Sequence, residues 1–300
     1  MPYSIQPAET VSDAIRRITL EQLDRAVATI ENPDVPRTGA AYALRKRCKK
    51  VRAVVRLARG PLSDLGLYRP ANIALRDIAA VFSGIRDADV MLATYRRALT
   101  RFDQLGKKSA DMRAFGPIRA RLTQRRRNLL SDDAGLDIAA LLDEAHWLLL
   151  EFRLGIACWD FPEDGLHAVE LGLRMTYGRV LRSADVAKAL RSTEAMHEWR
   201  KWVKYHRNHL RLLKKLVSCT LATRIQALWQ LSDLLGLEHD LAMIHDLVRS
   251  DPGFATIKAR RRFLILVRRQ RTAVQAEAMA VADHAGFPLE DETISGLTGL

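Results

Sequence analysis

Apolar residues recur three and four positions apart along the chain, and the strict alternation that marks a half-buried strand is missing. This spacing predicts helices over about 9–31, 39–59, 71–83, 86–104, 111–130, 136–157, 163–183, 193–217, 221–235, 239–249 and 254–284. Helix breakers fall between them: Asn32-Pro33, Gly60-Pro61, Pro70, Gly106, Asp132 to Gly135, Phe161-Pro162, Gly236 and Asp251-Pro252-Gly253. β-branched runs bounded by hairpin turns are absent, so the expected fold class is all-α.

The helical pattern repeats. Tyr42, Arg45, Lys49, Arg52 and Arg56 share their spacing with His197, Arg200, Lys204, Arg207 and Arg211, each 155 positions later. Downstream, FSGIRDADVM with Arg86 and Asp87 is matched by LGLEHDLAM with His239 and Asp240, at an offset of 153. A weaker third pair is Ile118 to Arg121 against Ile257 to Arg260, at an offset of 139. The chain therefore reads as a duplicated helical unit: residues 1–160, residues 161–285 and a mobile tail over 286–300. Each half is expected to form roughly a four-helix bundle with short connections between antiparallel neighbours.

At 100° per residue, each five-residue set falls within an arc of roughly 80°. A separate arc carries Leu44, Cys48, Val51, Val55 and Ala58 in the first copy, and Trp199, Val203, His206, Leu210 and Leu213 in the second. Each helix thus has an apolar face for packing and a cationic ridge. His206, on the apolar arc, is expected to be a packing residue. No acidic residue lies between Arg45 and Arg59 to relieve the repulsion along the first ridge.

Charge fits this pattern. The 300 residues carry 48 Lys and Arg against 35 Asp and Glu, a net +13, and both halves are basic. Such an excess suits a polyanionic partner: nucleic acid, an anionic membrane surface or a phosphate polymer. Two ridges facing one another would form a groove, which favours a threaded polymer over a flat membrane. Arginine offers forked donors to phosphate oxygens and lysine a mobile point charge.

Other chemistry is poorly represented. Cys48, Cys158 and Cys219 are far apart and fit small buried residues rather than a disulfide framework or a zinc site. Phosphate loops, H-E-x-x-H and G-x-S-x-G are absent. Asp87 and Asp89 would splay apart on a helix, so no metal is expected. The start of the chain lacks the basic-then-apolar order of a signal peptide, and no apolar run reaches about 18 residues. A cytoplasmic protein without cofactor or catalytic residues is the expectation.

The segment MHEWRKWVKYHRNHLRLLKKL resembles the signature helix of the CHAD family, the conserved histidine α-helical domain, and AYALRKRCKKVRAVVRLARG is similar to it. FSGIRDADVM and LLGLEHDLAM resemble the family's Gly-x-x-Arg-Asp and Gly-x-x-x-Asp segments, with Ser83 at the usual place of the first glycine. GLRMTYGRVLRSA, with Arg174, Tyr177 and Arg179, is similar to the element that opens the second half. The resemblance runs from about Glu9 to Asp283 and leaves no room for a fused partner. It implies two pseudo-symmetric four-helix bundles about a basic central cleft that binds inorganic polyphosphate without catalysis, in some members at polyphosphate granules.

By position, the resemblance implies ligand contacts from Arg45, Lys49, Lys50, Arg52 and Arg56 with His197, Arg200, Lys204, Arg207 and Arg211. Tyr42 stands where the family has histidine; it can donate to a phosphate oxygen but does not become cationic. Secondary contacts are expected from Arg119, Arg121, Arg174, Arg179, Lys258 and Arg260. Asp87 and Asp240 would either orient basic side chains at the cleft or cap helices. Nucleic acid is the second candidate partner, but aromatic residues make up only 6% of the chain. Of those near the stripe, Trp199 lies on the packing arc, leaving Trp202 and Tyr205.

Overall fold

A computed structural model describes residues 3–103, 113–130, 137–161, 165–216 and 222–284. Among them every regular element is helical. The first are α1 (Val11–Glu31), α2 (Arg37–Leu57), the short α3 (Arg59–Asp64), α4 (Tyr68–Val81), α5 (Ser83–Asp103) and α6 (Gly116–Leu130). They are followed by α7 (Ile138–Gly155), α8 (His167–Leu190), α9 (Thr193–Leu213), α10 (Ala222–Ser250) and α11 (Ile257–His284). The tail over 286–300 and Cys219 lie outside the described residues.

Local sequence explains several starts and stops. Thr10, Asp137 and Ser192 cap α1, α7 and α9, each side chain accepting from the backbone N–H three residues on. α2 ends at Leu57, before the Gly60-Pro61 break that was expected, and Pro61 sits inside the first turn of α3, where its missing N–H has no intrahelical partner to lose. α8 runs to Leu190, beyond the expected end at 183, and closes on Arg191 in the left-handed region at φ 49.

Gly236 corrects the sequence reading. A break was expected there, yet α10 runs through it from Ala222 to Ser250. A helical glycine costs about 1 kcal/mol relative to alanine, and burial outweighs that cost. Leu228, Leu231 and Leu235 on one side of the glycine, and Leu241, Ile244 and Val248 on the other, are all at most 1% exposed. In the first half the chain does break, at the buried Phe82 between α4 and α5.

Among the described residues, three apolar clusters form the interior. The first joins α1, α2, α4, α7 and the start of α8 with Tyr3 and Ile5. The second takes α5 and α6 together with the later part of α10 and the first part of α11. The third takes α8, α9, the earlier part of α10 and the end of α11. Cys48 belongs to the first, and burial pushes its thiol up to about 12. Cys158 is exposed rather than buried.

Gly172 and His209 are among the residues that bring α2, α8 and α9 together. Gly172 of α8 lies against the end of α2 so closely that a Cβ there would stand 2.1 Å from the Leu57 carbonyl oxygen and 2.4 Å from that of Arg56. Only glycine permits that approach. Buried His209 of α9 donates from Nε2 to the Ala53 carbonyl of α2 at 3.0 Å. Burial depresses its pKa to about 3, so the ring is neutral at neutral pH. His206 is likewise buried, with its ring 5.2 Å from Tyr177 and its pKa lowered to about 4 by burial. It packs, as its place on the apolar arc indicates.

Candidate anion-binding cleft

The apolar arcs of α2 and α9 are buried, which leaves their polar stripes directed into one cleft of about 500 Å³. Of the described residues that line it, ten are Lys or Arg and none is Asp or Glu. α2 supplies Arg45, Lys46, Lys49, Lys50 and Arg52; α9 supplies Arg200, Lys201, Lys204, Arg207 and Arg211. Tyr42, His197, Tyr205 and Asn208 complete the lining.

α4 braces the first ridge. Arg45 donates to the Ala79 carbonyl, Arg52 Nε donates to Asn72 Oδ1 at 3.1 Å, and Arg56 Nη1 donates to the Tyr68 hydroxyl at 3.3 Å. These bonds hold three guanidinium groups in place before any ligand arrives. Arg56 does not line the cleft: its guanidinium lies 4.4 Å over the Tyr205 ring and 5.3 Å over Trp202. Its counterpart 155 residues later, Arg211, does line the cleft and lies 5.7 Å over the ring of Tyr3.

Tyr3 carries no sequence signal of a site role, yet it supports both ridges. Its hydroxyl donates to the Lys50 carbonyl at 2.8 Å, and its ring sits 4.9 Å below the Lys50 ammonium. Two residues on, the Ile5 N–H donates to the Leu212 carbonyl of α9 at 2.8 Å. The segment before α1 thus ties the two ridge helices together.

Concentrated positive charge shows in the titration of these groups. Burial, reinforced by Arg47, Arg211, Lys46 and Arg25, lowers the Lys50 pKa to about 8. Burial also lowers Arg52. His197 is held below its ordinary value by burial, then by Arg200 and Lys201. Its Nδ1 lies 3.2 Å from Nδ1 of His239 on α10. That contact is a hydrogen bond only when one of the two nitrogens carries the proton, so it opposes a double imidazolium.

Other predicted positions lie elsewhere. Arg174 bonds Glu170 at 2.7 Å on the surface of α8, and Arg179 lies 5.6 Å over Trp202. Arg121 pairs with Asp251 at 3.3 Å. The structure brings none of Arg119, Arg121, Arg174, Arg179, Lys258 and Arg260 to the lining of the cleft. Asp240 is half-buried on α10, beside His239, and the side chain of Asp87 lies outside the described residues.

Lys46 and Lys201 were missed, although a signal was available. They are 155 positions apart like the rest of the repeat, and four residues beyond Tyr42 and His197 they fall on the same helical stripe. Among the described residues no group of three or more His, Cys, Asp or Glu could hold a metal ion, and no helix is long and apolar enough to cross a membrane.

The CHAD domain profile matches residues 14–249. No curated protein matches the chain. Among solved structures, the crystal structure of the CHAD domain from the plant Ricinus communis aligns with a TM-score of 0.53 and 17% identity, over 99% of this chain and 94% of that chain. At that identity the likeness is one of fold.

Proposed function

Since the chain belongs to the CHAD domain family, we propose that its cleft binds inorganic polyphosphate without catalysing a reaction on it. The observation that carries this reading is the lining itself, ten cationic side chains from two helices and no carboxylate among the described residues. A flexible phosphate chain can meet both ridges at once, and each contact releases counterions. The two ridges would come from the two halves of a duplicated four-helix unit, 1–160 and 161–285. The protein would act in the cytoplasm as a scaffold, including at polyphosphate granules.

Nucleic acid is disfavoured by what covers the aromatic rings. Base stacking needs a free aromatic face. Trp199 is fully buried, whereas Trp202 has Arg56, Lys201 and Arg179 within 5.6 Å of its ring centre. Arg56 also covers Tyr205, and Arg207 lies 5.3 Å over Trp229. Cations on these faces suit phosphates rather than bases.

A competition titration of long-chain polyphosphate, single-stranded DNA and RNA at one ionic strength tests the assignment. Polyphosphate should bind most tightly and weaken steeply with salt; equal affinity for all three would sink the claim of preference.

Lys50 supplies a second expectation. A bound polyanion stabilises the ammonium and therefore raises a pKa that stands at about 8 in the free protein. At pH 8 the free side chain is about half protonated, so binding should take up as much as about half a proton. Well below pH 7 Lys50 is already charged, and its uptake should vanish. Calorimetry in buffers of different ionisation enthalpy measures this, and Lys50→Met should remove the uptake at pH 8.

A further inference from the structure

A second cavity, outside the cleft, lies between α4 and α7, and from it we infer a docking groove for a basic amphipathic helix of a partner protein. The inference stands independently of the polyphosphate reading. The groove encloses about 530 Å³. α7 lines it with Leu141, Ala145, Leu148 and Phe152, at i, i+4, i+7 and i+11, and α4 supplies Ala71, Ala74 and Ile78. From Leu141 to Gly155 the floor extends for about 21 Å, the length of a four-turn helix. Small residues on both walls, Ala71, Ala74 and Ala145, leave room between α4 and α7 for a helix to lie.

This surface is costly to leave in water. Leu148 is 42% exposed and Val81 49%. Contiguous apolar surface of this kind marks an interaction site. Its rim is acidic: the described residues that line it include Asp77, Glu144 and Glu151 but no Lys or Arg. Asp77 is paired with Arg76, whereas neither Glu144 nor Glu151 forms an ion pair with another described residue. On a chain of net charge +13, that local reversal selects a partner with basic residues flanking its apolar stripe. Of the arginine-rich helices, α6 does not offer this to a second copy, because Ile118 and Leu122 there are buried in the second cluster.

α4 separates the two sites. Tyr68 and Asn72 reach towards Arg56 and Arg52, while Ala71, Ala74 and Ile78 face the groove. A docked helix would leave the cleft open, so one molecule could hold a polymer on one side of α4 and a protein on the other.

The test uses the full chain without polyphosphate and a fluorescent 18-residue peptide with leucines at i, i+3, i+4 and i+7 flanked by lysines. Anisotropy should show micromolar binding, and the same peptide with glutamate for lysine should not bind. Glu144→Lys with Glu151→Lys, and separately Leu148→Asp, should each weaken binding at least tenfold while circular dichroism melts stay unchanged. The inference is overturned if the acidic peptide binds equally, if the basic peptide fails to bind, or if neither variant changes affinity. It is equally overturned if sedimentation shows a dimer that Leu148→Asp dissociates, since the groove would then belong to a second copy.

Discussion

Replacing Arg200 and Arg207 together by alanine should weaken polyphosphate binding by about a hundredfold or more, since each charge-assisted hydrogen bond contributes about 1.5–3 kcal/mol. The two side chains lie on one stripe of α9 and both line the cleft. Losing two phosphate contacts should also flatten the dependence of log affinity on log salt by about 1.4, by analogy with single-stranded nucleic acids. Folding should be nearly unaffected. Arg207 pairs at 3.3 Å with Asp233, whose side chain is 79% exposed, and such a surface pair is worth at most about 1 kcal/mol. Isothermal titration across a salt series, beside a thermal melt, checks both parts. A melt that falls in step with affinity would show that the ridge holds the fold rather than a ligand.

Glu238→Ala should have the opposite profile, a large loss of stability from a residue outside the cleft. Glu238 is 1% exposed, and its Oε1 accepts from Arg271 Nη2 at 2.8 Å, Arg271 Nε at 3.1 Å and Gln275 Nε2 at 3.0 Å. Arg271 also donates to Thr193 Oγ1 at 3.0 Å, so the network ties α10 and α11 to the first turn of α9. Alanine leaves the largely buried Arg271 guanidinium, 15% exposed, without its carboxylate, which costs about 3–5 kcal/mol. At about 2–4 °C per kcal/mol for a large domain, the melting midpoint should fall by roughly 6–20 °C. Glu238→Gln keeps an acceptor and should lose less. A melt within a degree or two of the unaltered chain for Glu238→Ala would refute the network's structural role.

These two predictions show what the sequence makes visible. The ridges can be found because the same cationic spacing occurs twice, 155 residues apart. Periodicity also separates the buried arc, from Leu44 to Leu213, from the stripe that lines the cleft. Glu238 gives no such signal: one acid among several in an amphipathic helix looks solvated until α11 places Arg271 beside it. Tyr3 is missed for the same reason, because its partners, Lys50 and Arg211, lie far along the chain. Arg56 has the right spacing, but the aromatic pair on α9 draws its guanidinium away from the cleft. Gly236 illustrates the limit of local propensity, since apolar burial on both sides carries the helix across it.

The second cluster has a consequence for synthesis. Met91, Tyr95, Ile118 and Leu122 find part of their packing only against residues from Leu241 to Val274. About 150 residues must follow before that partner surface exists, which at about 5–20 residues per second takes roughly 8–30 s. Throughout that interval α5 and α6 leave the ribosome with an incomplete core and apolar surface open to aggregation. The nascent chain is therefore most in need of a chaperone midway through its translation, well before its last helix appears.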